Sequence, residues 1–169
     1  DRLYYSSIIS SAGNITWTPS TDFIDISPSD GENITALKRY SLTLLVFKPN
    51  YLYRYHGIEG LEPDPLINVG TRSQESVVVA KDGCYFHHDS GFYKYAGGKP
   101  QEISRPISDI VDAILKSDYE NVSGWKDIDH VYWNIGDITA SGVSFVNVVV
   151  RYTISSEVWT IYSYPNELK

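Results

Sequence analysis

Two stretches of the chain repeat one another. Residues 44–55 read LLVFKPNYLYRY and residues 84–95 read CYFHHDSGFYKY. At a step of 40 residues Leu45 meets Tyr85, Val46 meets Phe86, Leu52 meets Phe92, Tyr53 meets Tyr93, Arg54 meets Lys94 and Tyr55 meets Tyr95. The turn formers Pro49-Asn50 fall on Asp89-Ser90. An alternating run, a tight turn and a second alternating run describe a β-hairpin, so the chain holds two related hairpins. The likeness extends outward. ITALKRY (34–40) and SVVVAKD (76–82) precede the hairpins as strand candidates, and LINVG (66–70) and QEIS (101–104) follow them. Four strands per unit, recurring at about 40 residues, is the pattern of propeller blades.

The outer parts fit the scheme with gaps. DRLYYS (1–6), NITW (14–17) and DFIDIS (22–27) read as the second, third and fourth strands of a unit that lacks its first. HVYWNI (130–135), FVNVVVRY (145–152) and VWTIYSY (158–164) read as the first three strands of a unit that lacks its fourth. About four units lie at the low end for a closed ring. The expected fold is therefore all-β: a propeller-like array of four-stranded blades over 1–169, as one domain or as an arc cut from a larger propeller. The chain begins at Asp1 and contains no methionine, which suggests a processed piece or an excised domain.

One segment departs from the period of two. In SRPISDIVDAILKSDYENV, Ile107, Ile110, Val111, Ile114 and Leu115 recur at steps of three and four, one apolar helical face. Ser104 and Pro106 suit a helix start, Asp109 and Asp112 lie early and Lys116 lies late. The spacing predicts one short inserted helix near 107–118, of roughly three turns. It either covers a sheet edge or docks a neighbouring subunit.

Composition narrows the function classes. Fourteen basic against 21 acidic residues give a net charge of −7, and no Lys/Arg cluster offers a phosphate-binding patch. No specific nucleic-acid binding is expected. No apolar run approaches the length of a membrane span, so no membrane insertion is expected either. The single cysteine, Cys84, excludes an internal disulfide and reads as a small apolar strand residue. Aromatics make up 14% of the chain, and Tyr and Trp suit both strands and interfaces.

Few residues suggest chemistry. His87 and His88 are adjacent, and neighbours on a strand point to opposite faces, so a regular strand cannot aim both at one metal. Their counterparts in the sister unit are Phe47 and Lys48, ordinary strand positions. His56 and His130 flank other strands. No nucleophile elbow, phosphate-binding glycine loop or calcium loop occurs. Glu62/Asp64 and Asp127/Asp129 are carboxylate pairs of a kind glycosidases use across a cleft, though solvated loop charges explain them as well. Three N-x-S/T sequons begin at Asn14, Asn33 and Asn121, as chance allows in a chain rich in these residues. Trp17, Trp125, Trp133 and Trp159 are candidates for sugar-stacking shelves, although aromatics on such strands mostly fill the space between blades. No catalytic residue, cofactor or metal ligand is assigned.

The stretch NVGTRSQESVVVAKDGCYFHHDSGFYKYAGGKPQEISRPI resembles β-propeller virion proteins of tailed phages, especially tail-nozzle and packaged-DNA stabilisation proteins. The likeness rests on Val69-Gly70-Thr71-Arg72-Ser73, Gly83-Cys84-Tyr85-Phe86, Asp89-Ser90-Gly91-Phe92-Tyr93 and Ile103-Ser104, with ITALKRYSLTLLVFKPNYLYRY and DRLYYS as earlier echoes. It covers most of the chain to about residue 120 and marks a propeller style more than a single role. The resemblance implies a non-enzymatic structural protein of the tail or head-to-tail connector, forming a ring around the DNA channel. Its expected partners are portal, adaptor or tail components and further copies of itself. Two alternatives stand beside it: a glycan-binding host-recognition module, and a glycoside-active enzyme.

Overall fold

The computed structural model describes residues 2–6, 13, 15–16, 18–27, 29–55 and 64–164. It is mostly β, in four antiparallel sheets with one short helix. Sheet I pairs β1 (Arg2–Tyr4) with β2 (Phe23–Asp25). Sheet II runs β3 (Ala36–Tyr40), β4 (Thr43–Phe47), β5 (Leu52–Tyr55) and β6 (Asp64–Ile67) in spatial order. Sheet III repeats this with β7 (Val78–Val79), β8 (Cys84–His88), β9 (Gly91–Tyr95) and β10 (Gln101–Glu102). Sheet IV does so again with β11 (Ser123–Lys126), β12 (His130–Ala140), β13 (Val143–Thr153) and β14 (Val158–Ser163).

The repeat is carried into hydrogen-bond register. In sheet II Leu44 opposes Tyr55, Leu45 opposes Arg54, Val46 opposes Tyr53 and Phe47 opposes Leu52. In sheet III Cys84 opposes Tyr95, Tyr85 opposes Lys94, Phe86 opposes Tyr93 and His87 opposes Phe92, each pair 40 residues on. The first strands keep the step as well, with Leu37 opposite Val46 and Val78 opposite Tyr85. Only the fourth strands differ, because a register shift follows Leu52.

The sheets stack face to face in chain order. Val46 and Tyr53 pack with Ile26, Leu3 and Ile24 between sheets I and II. Leu45, Phe47 and Leu52 pack with Cys84, Phe86 and Tyr95 between II and III. Tyr85 and Phe92 pack with Val131, Trp133 and Tyr152 between III and IV. Equivalent residues therefore face equivalent directions: Leu45, Phe47 and Leu52 look forward to the next sheet, as do Tyr85, His87 and Phe92. A strand covered on both faces needs apolar residues at consecutive positions. This accounts for the unbroken burial of Leu45–Lys48 and Cys84–His88.

The connecting segments lock the stack at one end. Gly70 lies against the β4–β5 turn so closely that a Cβ there would sit 1.8 Å from the Lys48 carbonyl oxygen. The Thr71 amide donates to that same oxygen at 3.0 Å. The buried Thr71 and Ser76 hydroxyls are 2.9 Å apart, and Ser73 Oγ donates to the Val122 carbonyl at 2.7 Å. Arg72 grips Asp89, at the β8–β9 turn, through Nε and Nη2 at 2.9 Å each. The Val69–Ser73 run is thus a latch joining three sheets, and its residue types serve backbone satisfaction and close approach. One segment earlier, Lys48 Nζ reaches Asp30 at 2.8 Å and the Ser27 carbonyl at 3.1 Å.

Three expectations from the sequence need correction. First, β1 pairs directly with β2, so NITW does not lie between them; Asn14 and Trp17 are outside the described residues. Second, the last unit is complete. Ser123–Lys126 is its first strand, and 130–140, 143–153 and 158–163 are its second to fourth. Third, the helix predicted over 107–118 is divided. A 3₁₀ turn at Arg105–Ile107 leads into α1 (Ser108–Asp112), and a second 3₁₀ turn follows at Lys116–Asp118. Leu115 between them is extended (φ −69°, ψ 138°) and 58% exposed. The break brings Ile114, Tyr119 and Val122 into one core with Ile110 and Val111.

Candidate functional site

Sheets II and III are covered on both sides, whereas sheet IV has one open face. Among the described residues no core cluster joins it to sheet I. The register aligns Trp125, Tyr132, Arg151 and Thr160 in one row, with Ser123, Asn134, Val149 and Tyr162 in the next. Trp125 is 45% exposed and stacks on Tyr132 at 5.4 Å with 3° between the planes. The Arg151 guanidinium lies 5.4 Å from the centre of the Tyr162 ring and donates from Nη2 to Thr160 Oγ1 at 3.0 Å.

Asp127, in the β11–β12 turn, organises the rim of this face. Its carboxylate accepts from Tyr132 Oη at 2.8 Å and from the amides of Asp129 and His130, and it meets His130 Nδ1 at 2.9 Å. Desolvation pushes the Asp127 carboxyl up, but the bonds from His130, Tyr132 and the two amides outweigh it and bring it down to about 2. Asp127 is therefore a permanent anion at neutral pH.

Sheet III carries the same constellation in equivalent places. Asp82, in the β7–β8 turn, accepts from Tyr85 Oη at 2.9 Å and from Lys94 Nζ at 2.6 Å. Lys94 lies 5.6 Å from the Tyr85 ring centre. Burial pushes Asp82 up, and the bonds from Lys94 and Tyr85 bring it below the usual carboxylate range. Burial, and then Asp82, push the Tyr85 phenol upward. Tyr85 opposes Lys94 as Tyr132 opposes Arg151. The difference is cover: Tyr85 is fully buried under Trp133 and Tyr152 of sheet IV, while Tyr132 is only half-buried and Trp125 beside it is exposed. Sheet II has Leu45 opposite Arg54 here and no such carboxylate. The signal was present in the sequence as D-x-x-Y (82–85) and D-x-x-x-x-Y (127–132), each with a later cation. Unequal spacing and the missed β11 concealed it.

At the other end of the stack, Leu3 and Ile24 of sheet I face sheet II. Arg2 and Asp25 form an outward pair at 3.0 Å, with Arg2 lying 4.0 Å from the centre of the Phe23 ring. Tyr4, 49% exposed, tilts against Phe23.

The other candidate residues are dispersed. His87 is buried among Phe92 (5.1 Å) and Tyr119 (5.3 Å), and burial lowers its pKa to about 4. His88 points the other way, beside Tyr93 and Ser90 Oγ at 2.8 Å. His56 and Glu62 lie outside the described residues, and Asp64 is described only as backbone in β6. Asp129 accepts from Ser155 Oγ at 2.5 Å and the Ser155 amide at 3.1 Å, which ties two turns together. Trp133 and Trp159 are core residues whose Nε1 groups donate to the Ser76 and Ile103 carbonyls, both at 2.9 Å. Asn33 and Asn121 are exposed. Burial pushes the Cys84 thiol up to about 12. Among the described residues no three His, Cys, Asp or Glu side chains gather to hold a metal, and no helix is long and apolar enough to cross a membrane. Comparison with protein-family models and with curated proteins gives no match.

Proposed function

We propose that this chain is a non-enzymatic structural component of a tailed-phage particle, a propeller segment of the tail or head-to-tail connector that contributes to a ring around the DNA channel. The observation that carries the reading is the stack itself. Related sheets follow one another at a fixed step, with the same residues looking forward each time. Their first strands are drawn together, as wedges in a ring require. Gln74 bonds both the amide and the carbonyl of Leu37 in β3, and a Cβ on Gly124 in β11 would meet Val78 of β7 at 2.7 Å. The phage assignment rests on the resemblance of the Val69–Ser73 run and the hairpins, and the latch gives that run a structural purpose. A net charge of −7 suits a channel wall along which DNA slides without being gripped.

Antibodies raised against the chain, applied to purified particles of a phage that encodes it, test the reading by electron microscopy. Label is expected at the tail or the head–tail junction. Label confined to the soluble part of the lysate contradicts it.

One observation favours the glycan-binding alternative. Of the described tryptophans Trp125 alone presents an exposed, stacked face. On a glycan array the structural reading expects no specific binding. Specific binding that disappears with Trp125→Ala supports the alternative.

A further inference from the structure

The forward face of sheet III and the forward face of sheet IV carry the same set of groups. On sheet III, Asp82, Tyr85 and Lys94 lie under the next sheet, which covers the tyrosine with Trp133 and Tyr152 and brings Glu157 into the cleft lined by Lys94. On sheet IV, Asp127, Tyr132 and Arg151 repeat the arrangement with nothing over it. A covering sheet needs aromatic side chains to lie on Tyr132 and Trp125, an acid to meet Arg151 and a base to meet Asp127.

The backward face of sheet I presents these groups. Tyr4 and Phe23 form its aromatic pair, Asp25 supplies the acid and Arg2 the base. It is also the stack's other uncovered sheet surface among the described residues, since Leu3 and Ile24 are used against sheet II. We propose that the open face of sheet IV docks sheet I of a second copy of this chain, head to tail, continuing between molecules the stacking that runs within each one.

The contact is heterologous, so it closes into a ring or extends into a filament according to the rotation per copy. It deepens the structural reading above by naming the partner, but it stands on the repeated constellation and not on the virion assignment. Labelled particles with a monomeric chain would sink this inference alone. Assembly of a chain that particles lack would sink only the other.

The test is sedimentation of the full 169-residue chain with two variants at exposed positions, Trp125→Glu on sheet IV and Tyr4→Glu on sheet I. Near-ultraviolet circular dichroism checks that both stay folded. A two-stranded face makes a small contact, so association in the micromolar range is expected, visible by about 100 µM. Each variant alone is expected to weaken it at least about tenfold, because a central aromatic anchor is lost and a charge is placed in the contact. Mixed in equal amounts, the two variants are expected to form a 1:1 dimer that grows no further, since each retains the face the other lacks. A wild-type chain that stays monomeric over this range overturns the inference. So does a Tyr4→Glu variant that associates like wild type, which would indicate two sheet IV faces pairing with each other, and so does a mixture that stays monomeric.

Discussion

At the scale of single residues, Gly70 and His87 carry the most pointed consequences. Gly70 allows the segment leaving sheet II to lie on the β4–β5 turn, where a Cβ would meet three backbone atoms of Lys48 and Tyr51 within 2.9 Å. Backbone cannot yield as a side-chain tip does. Gly70→Ala is therefore expected to cost about 3 kcal/mol or more in urea unfolding, at the upper end of overpacking effects. His87 is buried neutral among aromatic rings, with its Nε2 unbonded. Its folded pKa of about 4 lies below the model value of 6.5. As pH falls from 6.5 towards 4 the unfolded chain takes up a proton that the folded chain refuses, so stability falls by up to about 3 kcal/mol. Asp30, Asp82 and Asp127 have depressed values and lose their contributions below this window. His87→Phe, the residue found at the equivalent Phe47, is expected to keep or raise stability at pH 7 and to flatten the decline between pH 6.5 and 4. An unchanged slope contradicts the account. That His87 is a core position was legible from its alignment with Phe47. The latch role of Thr71, Ser73 and Ser76 was not, because small polar residues read as loop until their buried partners are known.

At the scale of elements, the broken helix gives the clearest test. Ile114 is 4% exposed and Leu115 58% exposed, although both belong to the apolar face that the spacing predicted. Ile114→Ala is expected to cost about 2–4 kcal/mol, whereas Leu115→Ala is expected to change stability by less than about 0.5 kcal/mol. Equal costs would restore the longer helix. Periodicity alone was misled here because Tyr119 and Val122 reach the same core only if the chain straightens at Leu115. Strand β11 was missed for a different reason. Ser-Gly-Trp-Lys is short and has no alternation, and its glycine is there because Val78 and Trp133 approach within 3 Å of where a Cβ would be. The length of β12 and β13 was underread as well. Ser141-Gly142, both at positive φ, close them as a two-residue hairpin, and register shifts flank Gly136 along the way. The hairpins of sheets II and III were legible because their strands alternate and their turns carry Pro-Asn and Asp-Ser.

At the scale of the whole molecule, one rule generates the architecture. Each hairpin turns one set of side chains back to the preceding sheet and the next set forward to the following one. The stack therefore has a direction, and its last forward face is equipped like the one before it. Nuclear Overhauser contacts from the second strands of sheets II and III test this rule most directly. The account predicts that Phe47 contacts Phe86 across the gap between sheets, while Tyr85 contacts Trp133 and Tyr152 and Val46 contacts Ile26. Contacts joining the 44–55 and 84–95 hairpins edge to edge in one sheet, or Leu45 and Tyr85 turned to opposite ends of the stack, would contradict it.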